Sequence, residues 1–295
     1  MKAYAPGIYP RSEALVQATR DLDRGRASAE DVERVRADDL ATLVEAQREA
    51  GFDLLADGML AWQDLFRPLV EASEGLEPGP LTRFLDTNTF FRAPQPTGSP
   101  RLARPLDTQA APELDGPRLQ TLPSPFAFAG AAGLDPREVA ASVLAPAVEA
   151  LDGRLLVLSE PFLARRPDAD LDALGEALAQ LPATGAVVLQ LTFGDASGLL
   201  ERLADLPVDG IGVDFFLTPL DAVPQGFPKL LLAGVLDARS SAVEDPEVIA
   251  EFAGKLRERV EGDVTLAPNG DLQFVAEPIA RRKLEALGEA KELAA

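Results

Sequence analysis

The sequence predicts a (β/α)8 TIM barrel, an α/β fold in which residues 1–295 form a single domain. Its 295 residues and 46% hydrophobic content are enough for one large core, and barrels of this kind often reach this length. Eight short apolar runs mostly alternate with helical patterns. These runs are continuously apolar, which is typical of parallel strands buried on both faces, and eight of them favour a barrel over a doubly wound sheet.

The predicted strands are apolar runs that end in polar turns: residues 3–9, 52–58, 119–122, 155–158, 186–192, 210–216, 229–236 and 264–266. The first two helices begin after Ser12 and Ser28, whose hydroxyls suit an N-cap, and the second continues to Gly51. Later helices are predicted at residues 59–72, 136–151, 169–181, 196–206, 220–223, 246–260 and 277–290.

Residues 74–118 interrupt this alternation. They are rich in proline and glycine, and their apolar runs are short, including LTRFLDTNTFFR at 81–92. A structureless loop of this length is unusual in a compact domain. We therefore expect an irregular excursion or hairpin that covers one end of the fold.

Composition excludes several classes of function. Lys and Arg number 28 and Asp and Glu 48, so the formal charge is −20, which disfavours binding to nucleic acid or to an anionic membrane surface. The sequence has no Cys and no His, which removes disulfides, thiolate nucleophiles, imidazole bases and zinc sites built on those residues. There is no P-loop, no dinucleotide-binding glycine motif and no membrane-length apolar run, and no signal peptide is expected. A cytoplasmic protein is expected.

Polar residues follow most of the predicted strands, and in a barrel the carboxyl ends of the strands form the active site. The candidates at these ends are Arg11, Asp57, Ser159, Glu160, Thr192, Asp214, Asp237 and Asn269. One interpretation is a pocket that binds a small amine- or carboxylate-bearing ligand, and the other is a set of turn and cap residues. Glu160 and Asp214 end buried strands directly, so each needs a partner or has a raised pKa.

A metal site made only of oxygen ligands is the alternative use of these carboxylates. Asp57, Glu160 and Asp214 could supply ligands for Mg²⁺ or Ca²⁺. No D-x-D cluster supports such a site, so no metal is predicted.

Several strand-end segments resemble the cobalamin-independent methionine synthase family. They are PGIYPRSEAL, EAGFDLLADGMLAWQD, LTRFLDTNTFFRAP, LTFGDASGLLERLADLPVDGIGVDFF and GFPKLLLAGVLDARS, and their order covers nearly the whole chain. The resemblance implies a (β/α)8 barrel that moves a methyl group from a methylated, glutamate-tailed folate to homocysteine. In that family the thiol is activated as a zinc-bound thiolate.

This sequence departs from the family at the zinc ligands. The resemblance places the family's His and first Cys around residues 192–194, its Glu at Asp214 and its last Cys near residues 269–270, where this chain has no His or Cys. Zinc is therefore predicted to be absent, and no other cofactor is expected. The chain is most similar to the zinc-less N-terminal barrel of the long, two-barrel enzymes.

Three hypotheses follow from the resemblance. In the first, the chain is a methyltransferase with a folate site around Arg11, Trp62 and Asp64, and Trp62 either stacks on the pterin or is a buried anchor; Asn88 is a further candidate for ligand binding. In the second, a non-catalytic barrel binds a folate or an amino acid, or pairs with a catalytic subunit. The third hypothesis is an activity like that of the related uroporphyrinogen decarboxylase fold, and the acidic composition argues against this activity. The expected partners are a small molecule and possibly another protein, with no nucleic acid and no membrane.

Overall fold

A parallel sheet of seven strands curls into most of a barrel in the computed structural model, which describes residues 1–106, 114–166 and 168–295. The strands within these ranges are β1 (Lys2–Ala3), β2 (Ser73–Arg83), β3 (Phe90–Leu102), β4 (Leu119–Pro123), β5 (Leu155–Glu160), β6 (Ala186–Leu191), β7 (Gly210–Asp214), β8 (Leu230–Leu236) and β9 (Val264–Pro268). The order in the barrel sheet is β1-β9-β8-β7-β6-β5-β4, and all neighbours are parallel. The predicted α/β barrel class is confirmed.

The eighth position of the barrel lies between β4 and β1, and a single bridge takes the place of a strand there. Leu55 exchanges main-chain hydrogen bonds of 3.1 and 3.0 Å with Pro117 and Leu119. The predicted strand at 52–58 is therefore wrong in length. The predicted strand at 3–9 also shortens, to β1, because Pro6 has no N–H to continue a ladder.

The helices in the described ranges are α1 (Glu13–Asp23), α2 (Ala29–Glu49), α3 (Arg67–Ala72), α4 (Pro125–Ala132), α5 (Pro136–Val139), α6 (Ala145–Glu149), α7 (Leu171–Leu178), α8 (Leu200–Leu203), α9 (Pro246–Arg257) and α10 (Glu277–Leu293). Ser12 and Ser28 cap α1 and α2 as predicted. A π-helical turn joins α5 to α6, so the predicted helix at 136–151 is one composite element. Helix α4 was not predicted, because PFAFAGAA is apolar all round and shows no helical period.

Three other helix predictions differ from the structure. The helix predicted at 59–72 begins only at Arg67, because residues 58–61 form a turn. The helix predicted at 196–206 shrinks to α8. Residues Leu220–Ala222 form one 3-10 turn, as do Leu163–Arg165 and Leu272–Phe274.

Side chains that alternate along the strands fill the barrel interior. An inner apolar cluster at the base includes Leu119, Val157, Val188, Leu232 and Ala267. Because successive strand residues point to opposite faces, the residues two positions further along β5, β6 and β9 face the upper interior. These residues are polar: Ser159, Gln190 and Asn269. The interior thus changes from apolar at its base to polar at its carboxyl-end mouth.

The predicted excursion is an antiparallel hairpin of β2 and β3. At its turn, the ring of Phe84 stacks on Phe274 with 5.8 Å between centroids, and Phe274 in turn meets Phe193 edge-on at 5.3 Å. Since residues 193 and 274 follow β6 and β9, the β2–β3 hairpin covers the barrel mouth as expected. The rest of the predicted excursion includes residues 107–113, which lie outside the described residues. No helix in the described ranges is long and apolar enough to cross a membrane.

Candidate ligand site at the barrel mouth

Two carboxylates at the mouth share one amide. Asn269, fully buried after β9, donates from Nδ2 to Asp214 Oδ1 at 3.1 Å and to Asp237 Oδ1 at 3.4 Å. Its own Oδ1 accepts from the Ala238 N–H at 2.9 Å, which fixes the orientation of the amide. The ends of β7, β8 and β9 are therefore joined by side chains predicted from the sequence.

The second oxygen of Asp214 has no partner. Asp214 is fully buried, and Oδ1 also accepts from the Phe216 N–H at 3.0 Å, whereas Oδ2 meets no hydrogen-bond donor among the described residues. Burial raises the pKa of Asp214, and the hydrogen bond from Asn269 only partly opposes this shift. A buried oxygen without a donor is costly, so this atom distinguishes Asp214 from the other strand-end residues.

Gly234 makes the contact between Asp214 and Asn269 possible. Gly234 lies on β8, between the two strands that carry these residues. A Cβ atom at this position would lie 2.7 Å from the Cα of Asn269 and 3.0 Å from its Cβ. Glycine therefore lets the amide reach across β8.

An aromatic ring and an arginine close the same part of the mouth. Phe193, which adopts a left-handed φ of 55°, packs its ring against Gly270 so closely that a Cβ there would lie 2.4 Å from Cζ. The Arg239 guanidinium lies 4.6 Å from the centre of this ring, an attractive cation–π geometry. Arg239 Nε is also 3.7 Å from Asp237 Oδ1.

Three further predicted residues sit at the ends of β5 and β6, and Glu160 differs from the other two. Ser159 and Thr192 are buried and share the interior face of their strands. Glu160 lies on the opposite face, where its carboxylate accepts from the N–H groups of Phe162 and Leu163, both at 2.9 Å, and from the Ser124 hydroxyl. Burial raises the pKa of Glu160, and its bonds hold a turn rather than face the mouth.

A cleft of about 620 Å³ beside the mouth contains Arg11 and Trp62. Burial lowers the pKa of Arg11, and Asp39 opposes the shift; no carboxylate among the described residues lies within ion-pair distance of its guanidinium. Trp62 is 3% exposed, so it is the buried anchor considered above as well as a wall of the cleft.

The other candidates have structural partners or lie apart. Asp64 caps α3 by accepting from the N–H groups of Phe66 and Arg67 at 2.8 Å, and its second oxygen accepts from Arg92. Asp57 accepts from the Met59 N–H. Asn88 is exposed in the hairpin turn. Within the described ranges no three acidic side chains form a group suited to a metal, so Asp57, Glu160 and Asp214 do not make the oxygen site considered as an alternative.

Two pieces of this region are not among the selected candidate residues. Asp271 is buried beside Gly7 and accepts from the Ile8 N–H at 3.2 Å and from Gln273 at 3.1 Å. Burial raises its pKa to about 6. Its place after a buried strand was a signal that could have selected it.

The second piece is an ion pair whose lysine is fully buried. Lys283 of α10, with no exposed surface, donates to Glu244 at 2.7 and 2.9 Å, and Glu244 accepts from the Asp237 N–H at 2.8 Å. The pair fixes the start of the loop that carries Asp237 and Arg239. No local pattern marks it, because its partners are 39 residues apart.

The fold and its strand-end residues define a (β/α)8-type barrel with a polar, partly covered mouth. No family model matches the sequence. A methionine synthase of Sulfolobus acidocaldarius is 24% identical over 300 residues, which cover 94% of this chain and 87% of that protein. A 5-methyltetrahydropteroyltriglutamate–homocysteine methyltransferase of Mycobacterium leprae is 26% identical over 200 residues, or 60% of this chain and 26% of that protein.

The structure of a B12-independent methionine synthase from Shewanella sp. W3-18-1, in complex with selenomethionine, has the same fold. It aligns with a TM-score of 0.77 and 17% identity over 98% of this chain and 96% of that chain. This chain thus resembles the cobalamin-independent methionine synthases in sequence over nearly its whole length, and in fold. The resemblance predicted from the strand-end motifs is confirmed.

Proposed function

We propose that this chain is a methionine-synthase-like barrel, of the folate-to-homocysteine methyltransferase type, that binds a folate- or amino-acid-type molecule at its mouth without a resident zinc ion. The packing at the positions that resemble the family's zinc ligands carries this proposal. These positions hold one carboxylate, Asp214, one amide, Asn269, and the Phe193 ring pressed against Gly270. They do not fit a tetrahedral zinc site, which needs mostly imidazole or thiolate donors.

This donor set limits the chemistry of the chain. A thiol with a pKa near about 8.5 is mostly protonated at neutral pH, and zinc lowers the pKa of groups bound to it. The zinc-thiolate route is therefore not proposed for this chain. Mouth residues would instead bind and orient the ligand, and the β2–β3 hairpin would exclude water from it.

A non-catalytic barrel, which binds the ligand alone or beside a catalytic subunit, is the second candidate. One observation on Asp271, a carboxylate beside the mouth, favours it. Asp271, whose pKa of about 6 suits a base, already accepts hydrogen bonds on both carboxylate oxygens. We also propose that the chain is located in the cytoplasm and that, as a non-catalytic barrel, it pairs with another protein.

Metal content, ligand binding and turnover test the proposal. Elemental analysis of the purified chain should find no stoichiometric zinc, and tightly bound zinc at one ion per chain would contradict the zinc-free site. Methionine, homocysteine or a methylated folate should raise the melting temperature, and a flat response to all three would remove the ligand-binding function. Methionine formed from methylated folate and homocysteine by the chain alone would select methyl transfer over the non-catalytic candidate.

A further inference from the structure

A second cavity lies outside the mouth, where the β2–β3 hairpin packs beside α4 and close to α5 and α7. It encloses about 540 Å³, a volume that suits a small ligand. Among the described residues, no strand-end candidate of the mouth lines it. We call it the flank cavity, and the lining residues that matter for its chemistry are Phe91, Phe126, Gly130, Phe162 and Arg166.

Aromatic rings that the core holds in place form the walls of the flank cavity. Phe66 is fully buried, and its ring centroid lies 5.2 Å from that of Phe91 and 6.4 Å from that of Phe162. Both of these wall rings also contact Phe84. Phe126 of α4 adds a third, half-buried ring. A flat ring on a ligand can pack against such fixed rings without the cost of ordering them.

Small residues keep the flank cavity open on the side of α4. A Cβ atom on Gly130 would meet no described atom within 4 Å outside its own stretch of helix, and Ala129 precedes it in the lining. Gly130 and Arg166 are both exposed, so a ligand reaches the cavity from solvent.

Arg166 supplies the unpaired charge of the flank cavity. Its guanidinium forms no hydrogen bond or ion pair with any described residue, whereas the other charged side chains of the lining have protein partners. Asp135 accepts from the Arg137 N–H at 2.7 Å and lies 3.2 Å from its guanidinium. Asp170 accepts from the Ala173 N–H at 2.9 Å. The cavity therefore combines apolar rings with one guanidinium that is available to an anion.

We propose that the flank cavity binds a small aromatic carboxylate. The flat ring of the ligand lies among Phe91, Phe126 and Phe162, and its carboxylate pairs with Arg166. Guanidinium and carboxylate match in shape and form two parallel charge-assisted hydrogen bonds, while the contacts between rings add to the burial of apolar surface. The site is separate from the mouth, so this inference goes beyond the proposed function and does not depend on it.

Three matched probes test the site on the full-length chain by titration calorimetry at neutral pH. The probe 2-naphthoate carries the ring and the charge, 2-naphthamide keeps the ring without the charge, and octanoate keeps the charge without the ring. Naphthoate should bind most tightly, naphthamide about tenfold more weakly because it lacks the charge-assisted bonds, and octanoate about threefold more weakly because it cannot stack. No binding of naphthoate, or equal affinity for naphthoate and either of the other probes, would overturn the proposal.

Two variants with matched controls locate the site. Arg166→Gln should make naphthoate bind no better than naphthamide, and Arg282→Gln is its control, since Arg282 is exposed on α10 and does not line the cavity. Gly130→Leu should weaken all three probes about tenfold or more, because the side chain takes up space at the lining. Gly254→Leu is its control, since Gly254 is an exposed glycine of α9 with an equally open Cβ position.

Melting temperatures of the variants show whether the fold is kept, which is expected because leucine suits a helix better than glycine does. Unchanged naphthoate affinity in Arg166→Gln or in a folded Gly130→Leu would overturn the proposal, and so would an equal loss in the control variants. If Gly130→Leu does not fold, Arg166→Gln decides, because that side chain is exposed.

The flank cavity and the proposed function can fail separately. Methionine, homocysteine and a methylated folate should leave the affinity for naphthoate unchanged, since the proposed function places them at the mouth. Competition between the folate and naphthoate would overturn the proposal of a separate site. Naphthoate binding that depends on Arg166, with no response of the chain to the other three molecules, would keep the flank cavity and reject the proposed function.

Discussion

Gly270 has no room for a side chain, because the ring of Phe193 lies against it. Gly270→Ala would force a Cβ to 2.4 Å from the ring, so we expect a loss of about 1–3 kcal/mol in the free energy of unfolding. Urea denaturation measures the change. Gly254→Ala is the control, since nothing lies within 4 Å of its Cβ position on α9 and alanine suits a helix; it should be neutral or stabilising.

Repeating Gly270→Ala in a Phe193→Ala chain separates the steric clash with the ring from other effects at residue 270. In Phe193→Ala the ring is gone, so Gly270→Ala should then cost much less than in the unmodified chain. An equal cost in both backgrounds would show that the ring is not the reason for glycine.

Asp271 makes stability depend on pH in a defined direction. Burial raises its folded-state pKa from 3.8 to about 6, so the folded chain binds a proton more tightly than the unfolded chain does. Its contribution is therefore fully present below about pH 4, falls as pH rises to about 6, and is lost above that; the span is about 3 kcal/mol at most.

Asp271→Asn tests this dependence. The free energy of unfolding should be measured from pH 4 to pH 7 for both chains. The value for the unmodified chain minus the value for Asp271→Asn should decrease as pH rises. Taking the difference removes Glu160 and Asp214, whose raised pKa values act in the same direction. A difference that does not change with pH would contradict the role of Asp271.

At the scale of elements, α10 holds the loop that follows β8 through Lys283 and Glu244. Lys283→Met would leave the mostly buried Glu244 carboxylate without its counterion, so we expect a loss of up to about 3–5 kcal/mol in stability, measured by chemical denaturation. The loop that carries Asp237 and Arg239 would also lose the ion pair that fixes its start.

Two variants control for this ion pair. Lys255→Met removes a partner of Glu251 from an exposed pair on α9 and should change the free energy of unfolding very little, because solvent screens such pairs. Lys283→Met combined with Glu244→Gln removes both charges but keeps the acceptor for the Asp237 N–H, so much of the loss should be recovered. If the double variant recovers no stability, the loss in Lys283→Met comes from packing around Lys283 and not from charge.

The whole molecule carries a formal charge of −20, and this charge destabilises the compact state by self-repulsion. Raising NaCl from about 0.01 to 0.15 M shortens the screening length from about 30 to 8 Å, so the melting temperature should rise. Choline chloride should have the same effect if screening is the cause. A fall with salt would show that surface ion pairs outweigh the repulsion.

Most of the barrel follows from the sequence, because its strands are apolar runs of the right length that alternate with helices. The runs from β4 to β9 lie within two residues of the predicted bounds at both ends. The opening strands were predicted too long, since proline and glycine turns interrupt pairing near Pro6 and Gly58. An excursion or hairpin over one end of the fold was expected from residues 74–118, and the structure puts the hairpin at the mouth.

The sequence by itself determined the fold class, the lack of imidazole and thiol groups, and the polar residues at the strand ends. Only the tertiary structure decided which of those residues meet. Strand alternation turns Asp214 and Asn269 inward and Glu160 outward, and Gly234 lets the first two touch across β8. The Phe193 ring over Gly270 and the Lys283–Glu244 pair join distant segments of the chain. Such contacts depend on register and on packing between elements, which no local pattern of residues records.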